Sequence, residues 1–244
     1  MKVAAVVHAK GISERLPNKN LRKLGGKPLI CHAISNACNA ELVNDVYIDS
    51  EDDLILRVGA GCGAIPLKRP PYLANNQITG DDLAYWQAQS LPQYDILVQV
   101  VPTSPFIKSK TIDECISNVI LGYNSSFTAT SEKLYTWSQK NPTESLTPDY
   151  YVNGKILNSK DLPYIFIEHT GLFAFKTEYA FEKRKRIDPR NFRGVPIDYI
   201  EAIDINYESD FKIAEIIWQG LHSSKTNIKG EGALLLATDQ ASMT

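Results

Sequence analysis

K-V-A-A-V-V-H-A-K-G-I-S-E-R-L-P-N-K-N, residues 2–20, decides the fold. Val3 to Val7 are five consecutive apolar residues ended by His8, the pattern of a buried strand placed centrally in a parallel sheet. The loop that follows carries Gly11, Ser13 and Pro17, with Lys10, Arg15 and Lys19 spaced along it. Three cations, a small hydroxyl and backbone N–H groups directly after a first strand form a site for a polyphosphate. Cations also occur in any surface loop. Position decides between the readings, because open α/β sheets bind ligands at the carboxyl ends of their strands.

The bounds agree with one large core. The chain has 244 residues, 43% hydrophobic and 22% charged, with a formal net charge of −2. That composition is ordinary for a soluble globular protein and excludes a general nucleic-acid or acidic-membrane binder. No apolar run approaches the roughly 18 residues needed to span a bilayer, and the apolar stretch before His8 is too short for a secretion signal. Cys31, Cys38, Cys62 and Cys115 form no C-x-x-C and have no histidine at zinc spacing. Cys31 and Cys38, seven apart in an expected helix, are expected to pack as small apolar groups, and the compartment to be reducing, hence cytoplasmic.

Strand and helix then alternate. A helix is expected over Pro28–Ala40, a strand over Asp45–Ile48, and a helix opened by the acidic run 49–53, whose charges suit the macrodipole and need no metal. Thr79 or Asp81 can cap a helix ending at Ser90. Tyr94–Val101 is the second strong strand, leading into Pro102-Thr103-Ser104-Pro105. A helix over Ser109–Leu121 and a strand over Ser125–Thr130 complete a βαβαβαβ series, hence an α/β, doubly wound, mostly parallel sheet. Residues 132–170 break the rhythm and read as a lid or dimer-contact insertion rich in aromatics. Strands over Gly171–Phe175 and Glu201–Ile205 and a helix over Glu208–Leu221 return to order. Residues 1–222 therefore form one domain, and 223–244 read as a flexible tail. His8 reads as a packed or hydrogen-bonded histidine. His169 stands equally open as a ligand for a sugar carboxylate, and Lys183–Arg186 as a phosphate contact or a solvated helix end.

Four segments together resemble a known family. A-K-G-I-S-E-R-L-P-N-K-N followed by G-K-P-L-I is similar to the A-R-x-G-S-K-x-L-P-x-K-N signature of the CMP-sialic acid synthetase (acylneuraminate cytidylyltransferase) family. R-P-P-Y-L-A at 69–74, V-P-T-S-P-F at 101–106 and D-I-N-Y-E-S-D-F at 204–211 resemble that family's R-P-x-x-L-A, Q-P-T-S-P-L and D-I-D-T-x-x-D-F, in the same order. The match spans nearly all of residues 2–221. It implies a Rossmann-like nucleotidyltransferase that condenses CTP with the anomeric hydroxyl of a 2-keto sugar acid, releasing pyrophosphate.

By this resemblance Lys10, Ser13, Arg15 and Lys19 hold the triphosphate, with Ala9 and Gly11 in the same loop. Asn20 and Arg69 fix the nucleotide, and the segment from Asn76 through Thr79 to Gly80 lines the base pocket. Thr103 and Ser104 meet the sugar acid, Asp204 with Asn206 binds Mg2+, and the aromatic insertion makes a homodimer. Five positions depart from the pattern. Lys10 stands where Arg is usual, Glu14 where Lys is, Val101 where Gln is, Ile107 where Arg is, and Asn206 where Asp is. They are read as fitting another nonulosonic acid, with weakened catalysis as a second reading: a nucleotide-binding homologue without turnover. An activator of the eight-carbon acid Kdo is a third reading, disfavoured by the loop at Val101. A pyridine-nucleotide dehydrogenase is disfavoured because no G-x-G-x-x-G follows the first strand.

Overall fold

A computed structural model describes the backbone of residues 1–235 and the side chains of residues 1–223. Seven strands form one sheet: β1 (Val3–His8), β2 (Asp45–Ser50), β3 (Ile65–Lys68), β4 (Ile96–Val100), β5 (Ser125–Glu132), β6 (Ile165–Lys176) and β7 (Phe192–Pro196). Their spatial order is β7-β5-β6-β4-β1-β2-β3. β1 pairs in parallel with β2 and β4, whereas β6 runs antiparallel between β4 and β5. The order reverses at β1, whose neighbours β2 and β4 leave in opposite directions, so the carboxyl ends of β1 and β4 frame a switch-point crevice.

Alternation along β1 divides the core in two. Ala5 and Val7 face α1 (Leu29–Cys38), α2 (Asp53–Gly61) and α4 (Ser109–Ile120), meeting Ile34, Ile55 and Ile112. Ala4 and Val6 face α3 (Gly80–Ser90) and α5 (Thr177–Lys183), meeting Ala84, Ala88 and Ala180. Both faces of β1 are covered, which is why its residues are uniformly apolar. The last helix, α6 (Glu208–Leu235), packs Phe211 and Ala214 on Leu24, Leu29 and Phe106. No helix among the described residues is long and apolar enough to cross a membrane.

Several expectations need correction. β3 and β7 were not expected: β3 carries a proline and β7 a glycine, and both are edge strands, where such residues are tolerated. Glu201–Ile205 is not a strand. Glu201 is instead a buried acid that accepts from Thr111 Oγ1 at 2.7 Å and pairs with Lys108 at 2.7 Å, while Ile205 N bonds the Thr103 carbonyl at 2.9 Å. The strand expected at Gly171–Phe175 is the inner half of β6, which begins inside the 132–170 segment. Cys31 is bonded to Cys62 in a disulfide with a Cα–Cα distance of 5.6 Å; Cys38 and Cys115 are free. The expected boundary at 222 is crossed by α6, and residues 236–244 lie outside the described ones.

Candidate functional site

The loop leaving β1 is clamped before it can bind anything. Gly11 N donates to Glu51 Oε1 at 2.6 Å, and a Cβ on Gly11 would come within 2.9 Å of Asp52 Cβ. Only glycine permits that approach. Asp52 in turn caps α2, accepting from Leu54 N and Ile55 N at 2.7 and 3.0 Å. The acidic run is therefore structural, as its position suggested. Asn20 Nδ2 donates to the Lys10 carbonyl at 2.9 Å and turns the loop back on itself.

Arg69 is 3% exposed and satisfied on three sides. It donates to the Ala9 carbonyl at 2.7 Å and to Glu51 Oε2 at 2.9 Å, and lies 3.7 Å from Asp49 Oδ1. It ties the ends of β1, β2 and β3 together beneath the crevice. Burial pushes the Asp49 carboxyl up to about 6 despite that neighbouring charge. Burial also lowers the Lys19 ammonium, an effect that Asp204 opposes. Lys19 Nζ donates to the Ile205 carbonyl at 2.9 Å, which brings the β1 loop against the segment before α6.

The result is one cleft of about 450 Å³. Ala9, Lys10, Arg15, Lys19 and Asn20 form one wall, Arg69 and the 73–78 segment a second, and Val101 to Thr103 a third. Asp204 and Asn206 close it. Ser13 and Glu14 line a continuation of about 260 Å³ that shares the three cations. Four expected site residues stand outside the lining. Gly11 shapes the loop from behind, and Thr79 caps α3. Ser104, 4% exposed, backs onto Gly171, where a Cβ would come within 2.6 Å of its hydroxyl. His169 Nε2 is 3.0 Å from Thr130 Oγ1, and its neighbour Thr170 takes the place in the cleft.

Two features were not expected from sequence: a place for His8 in the cleft, and a side-chain role for Asn76, whose segment was expected to line the base pocket through its backbone. His8, read as a packed histidine, is part of the cleft wall. Asn76 bridges the mouth, accepting from Lys10 Nζ and donating to Glu14 Oε1. The Glu14 carboxylate is thus held by Asn76 in the space it shares with Lys10, Arg15 and Lys19.

The residues present suit a hard cation. Asp204 Oδ1 is buried without a partner among the described residues, while Oδ2 accepts from Asn206 Nδ2 at 2.6 Å. Mg2+ keeps several waters and takes one or two carboxylates besides substrate phosphates. One orphaned carboxylate oxygen, on a residue that lines the same cleft as three cations able to hold those phosphates, suits that requirement. No cluster of three or more His, Cys, Asp or Glu able to hold a metal exists among the described residues.

A doubly wound sheet with a cationic loop, a buried arginine and a lone late aspartate converging at its switch point has the Rossmann-like nucleotidyltransferase fold. The chain belongs to the cytidylyltransferase family, whose model matches residues 4–221. It is 22% identical over 220 residues to N-acylneuraminate cytidylyltransferase A of Danio rerio, covering 87% of this chain and 50% of that protein. It is 23% identical over 239 residues to the pseudaminic acid cytidylyltransferase of Campylobacter jejuni, covering 92% of this chain and 99% of that protein. The chain thus spans about half the length of the zebrafish relative and nearly all of the bacterial one. Among solved structures, CMP:2-keto-3-deoxy-manno-octonic acid synthetase in complex with CTP shares the fold, with a TM-score of 0.66 at 15% identity, over 90% of this chain and 100% of that one.

Proposed function

We propose that this chain transfers a cytidylyl group from CTP to the anomeric hydroxyl of a nonulosonic, sialic-like 2-keto sugar acid, giving a CMP-sugar and pyrophosphate. The observation that carries the reading is the convergence of Lys10, Arg15 and Lys19 on Asp204 across one switch-point cleft in a chain of this family. The sugar hydroxyl bonds to the α-phosphorus, the bond to pyrophosphate breaks, and the hydroxyl proton passes to water. Such a transfer asks for positioning and charge neutralisation. Lys10, Arg15 and Lys19 neutralise the departing pyrophosphate, with Ser13 and the backbone of Ala9 and Gly11 shaping its cradle. Arg69 and Asn20 fix the nucleotide, Thr79 sets the segment against the base, and the acceptor lies between Thr103, Thr170 and the backing hydroxyl of Ser104. His169 orders that side through Thr130. Mg2+ held by Asp204 and Asn206 would add charge stabilisation at the phosphates.

The enzyme works as a homodimer through residues 132–170 and acts in the cytoplasm, where CTP is available, feeding polysaccharide assembly. A second reading, a nucleotide-binding homologue with weak turnover, is favoured by one contact: the Asn206 amide already occupies an Asp204 oxygen.

Thermal-shift titration with CTP, UTP, ATP and GTP, each with and without Mg2+, tests the proposal. Hundredfold excess over Kd stabilises by about 2.7 kcal/mol, enough for degrees of melting shift. A CTP-selective, Mg2+-enhanced shift, followed by pyrophosphate release with a nonulosonic acid, is the expected result. CTP binding indifferent to Mg2+ and without turnover would favour the homologue reading. No CTP response would refute both.

A further inference from the structure

On the α3 side of the sheet a polar layer lies directly above an apolar one. His8 ends β1 and stands in register with Asp49 on β2; both continue the row begun by Ala4, Val6 and Tyr47, which faces α3. Gln87 Nε2 donates to Asp49 Oδ2 at 2.7 Å, Gln99 Nε2 donates to Gln87 Oε1 at 3.0 Å, and Arg186 Nη1 donates to Gln99 Oε1 at 3.2 Å. The chain of bonds runs from β2 to the segment after α5, while Asp49 Oδ1 makes no hydrogen bond among the described residues and lies 3.7 Å from Arg69 Nε. His8 is outside it. Its Nδ1 is shut off from solvent without a well-formed hydrogen bond, and only the Val6 backbone favours a proton on the ring. His8 is nonetheless part of the cleft wall.

The cleft combines cationic and apolar lining residues. Lys10, Arg15, Lys19 and Asp204 line it together with Leu73, Ile78 and Leu83. A triphosphate belongs with the cations, and a flat heterocycle belongs among the apolar side chains. His8 lies on the α3 side of β1, within reach of the Arg69 and Arg186 charges. Burial, reinforced by the Arg69 and Arg186 guanidinium groups, holds the imidazole uncharged, lowering its pKa to about 3. An uncharged imidazole keeps one lone pair, whereas an imidazolium has only donors. Guanidinium groups supply donors alone. The uncharged ring of His8 is therefore one side chain of this cleft able to accept from a base.

We propose that His8 is a specificity-determining residue of the nucleotide subsite: with its proton on Nδ1, its Nε2 accepts a hydrogen bond from the exocyclic 4-amino group of cytosine. Uracil presents a carbonyl at that position and would face the same lone pair repulsively. This inference rests on the cytidylyl-transfer reading above and names the side chain that makes the cleft prefer that base.

The test is equilibrium binding of CTP and of 2-pyrimidinone ribonucleoside triphosphate, which carries nothing at C4, to the full chain and to its H8Q and H8F variants. The wild type is expected to bind CTP about three- to tenfold more tightly than the analogue, the range of one net hydrogen bond. H8F should bind both ligands alike, with the analogue near its wild-type affinity, and H8Q, whose amide oxygen can accept, should recover part of the preference. An H8F variant that keeps the wild-type preference, or loses both ligands equally, overturns the role, the latter because it marks His8 as packing. Should H8F fail to fold, the wild type and H8Q decide: equal affinity for the two ligands in the wild type also overturns it. A wild-type chain that binds neither ligand refutes the parent reading instead.

Discussion

His8 and Asp49 are opposite in their response to acid, although they are neighbours in register. Asp49 has a folded pKa of about 6 against an ordinary 3.8, so the stability it contributes below pH 3.8 is lost as pH rises through 6. His8 has a folded pKa of about 3 against 6.5, so its contribution, complete above pH 6.5, is lost as pH falls toward 3. Burial is the main cause of both shifts, with the Arg69 and Arg186 charges adding to it at His8 and Arg69, Gln87 and Glu51 acting at Asp49. Between about pH 4 and 6 the two slopes oppose each other and largely cancel. Asp49→Asn leaves the histidine slope alone, so its urea midpoint should fall more steeply than that of the wild type between pH 6 and 4. His8→Phe should show the reverse. Parallel profiles for all three proteins would refute the opposition. At the cleft mouth, Glu14→Gln weakens the hold of Asn76 and removes an anion from beside Lys10 and Arg15. CTP should then bind about two- to fivefold more tightly at low salt, a gain that shrinks as ionic strength shortens the screening length. Tighter binding that is indifferent to salt would contradict this account.

Among the elements, α3 shows best how local chemistry reaches the site. Thr79 Oγ1 accepts from Asp82 N at 3.2 Å while Asp82 Oδ2 accepts from Thr79 N at 2.8 Å, a complete capping box. Thr79→Ala should cost about 1 kcal/mol of stability. It also loosens the 75–78 segment at the base end of the cleft, so KM for CTP should rise more than kcat falls; a change in kcat alone would place Thr79 elsewhere in the reaction. This cap was legible because it depends on residues three apart. The buried strands β1 and β4 were legible because both faces of each are covered and the sequence shows an unbroken apolar run. β3 and β7 were hidden because an edge strand tolerates Pro66 and Gly194 and needs no pattern. E-A-I-D-I at 201–205 imitates a strand by alternation, yet Glu201 is drawn inward by Thr111 and Lys108, partners some ninety positions away. The Cys31–Cys62 bond is likewise tertiary, closing a separation of 31 residues between α1 and the end of α2. A loop of that size stabilises by about 3–4 kcal/mol on the chain-entropy account. Reducing agent should lower the melting temperature by several degrees, an effect absent in Cys31→Ala. Equal melting in both conditions would show that the bond does not form in solution.

At the scale of the whole molecule, the site was legible where a loop meets a strand end, and illegible where the cleft is walled by residues that look like core. Lys10, Arg15, Lys19, Arg69 and Asp204 could be read from loop position and family resemblance. His8 could not, since a histidine closing an apolar strand carries no signal alone; Asn76 was expected in the segment lining the base pocket, but its side-chain bridge from Lys10 to Glu14 was not. The outer surface raises a separate question. β6 is fully buried from Gly171 to Phe175, but its first half and the preceding segment expose Phe166 at 70%, Tyr164 at 63%, Ile156 at 60% and Trp137 at 54%. The β5–β6 pair continues past the body of the sheet there, with Ile165 opposite Glu132. A lone protomer seldom presents so many large apolar side chains on one projecting segment, and a second copy of the chain would cover them. Phe166→Glu combined with Tyr164→Glu places charges at positions already exposed in the protomer, so the folded protomer should melt close to the wild-type protomer. In sedimentation velocity at about ten micromolar, a protein–protein affinity range where a standard interface holds, the wild type should run as a dimer and the double variant as a monomer. A monomeric wild type would leave the exposed aromatics without the partner assigned to them, and a dimeric double variant would move the interface to another face of the sheet.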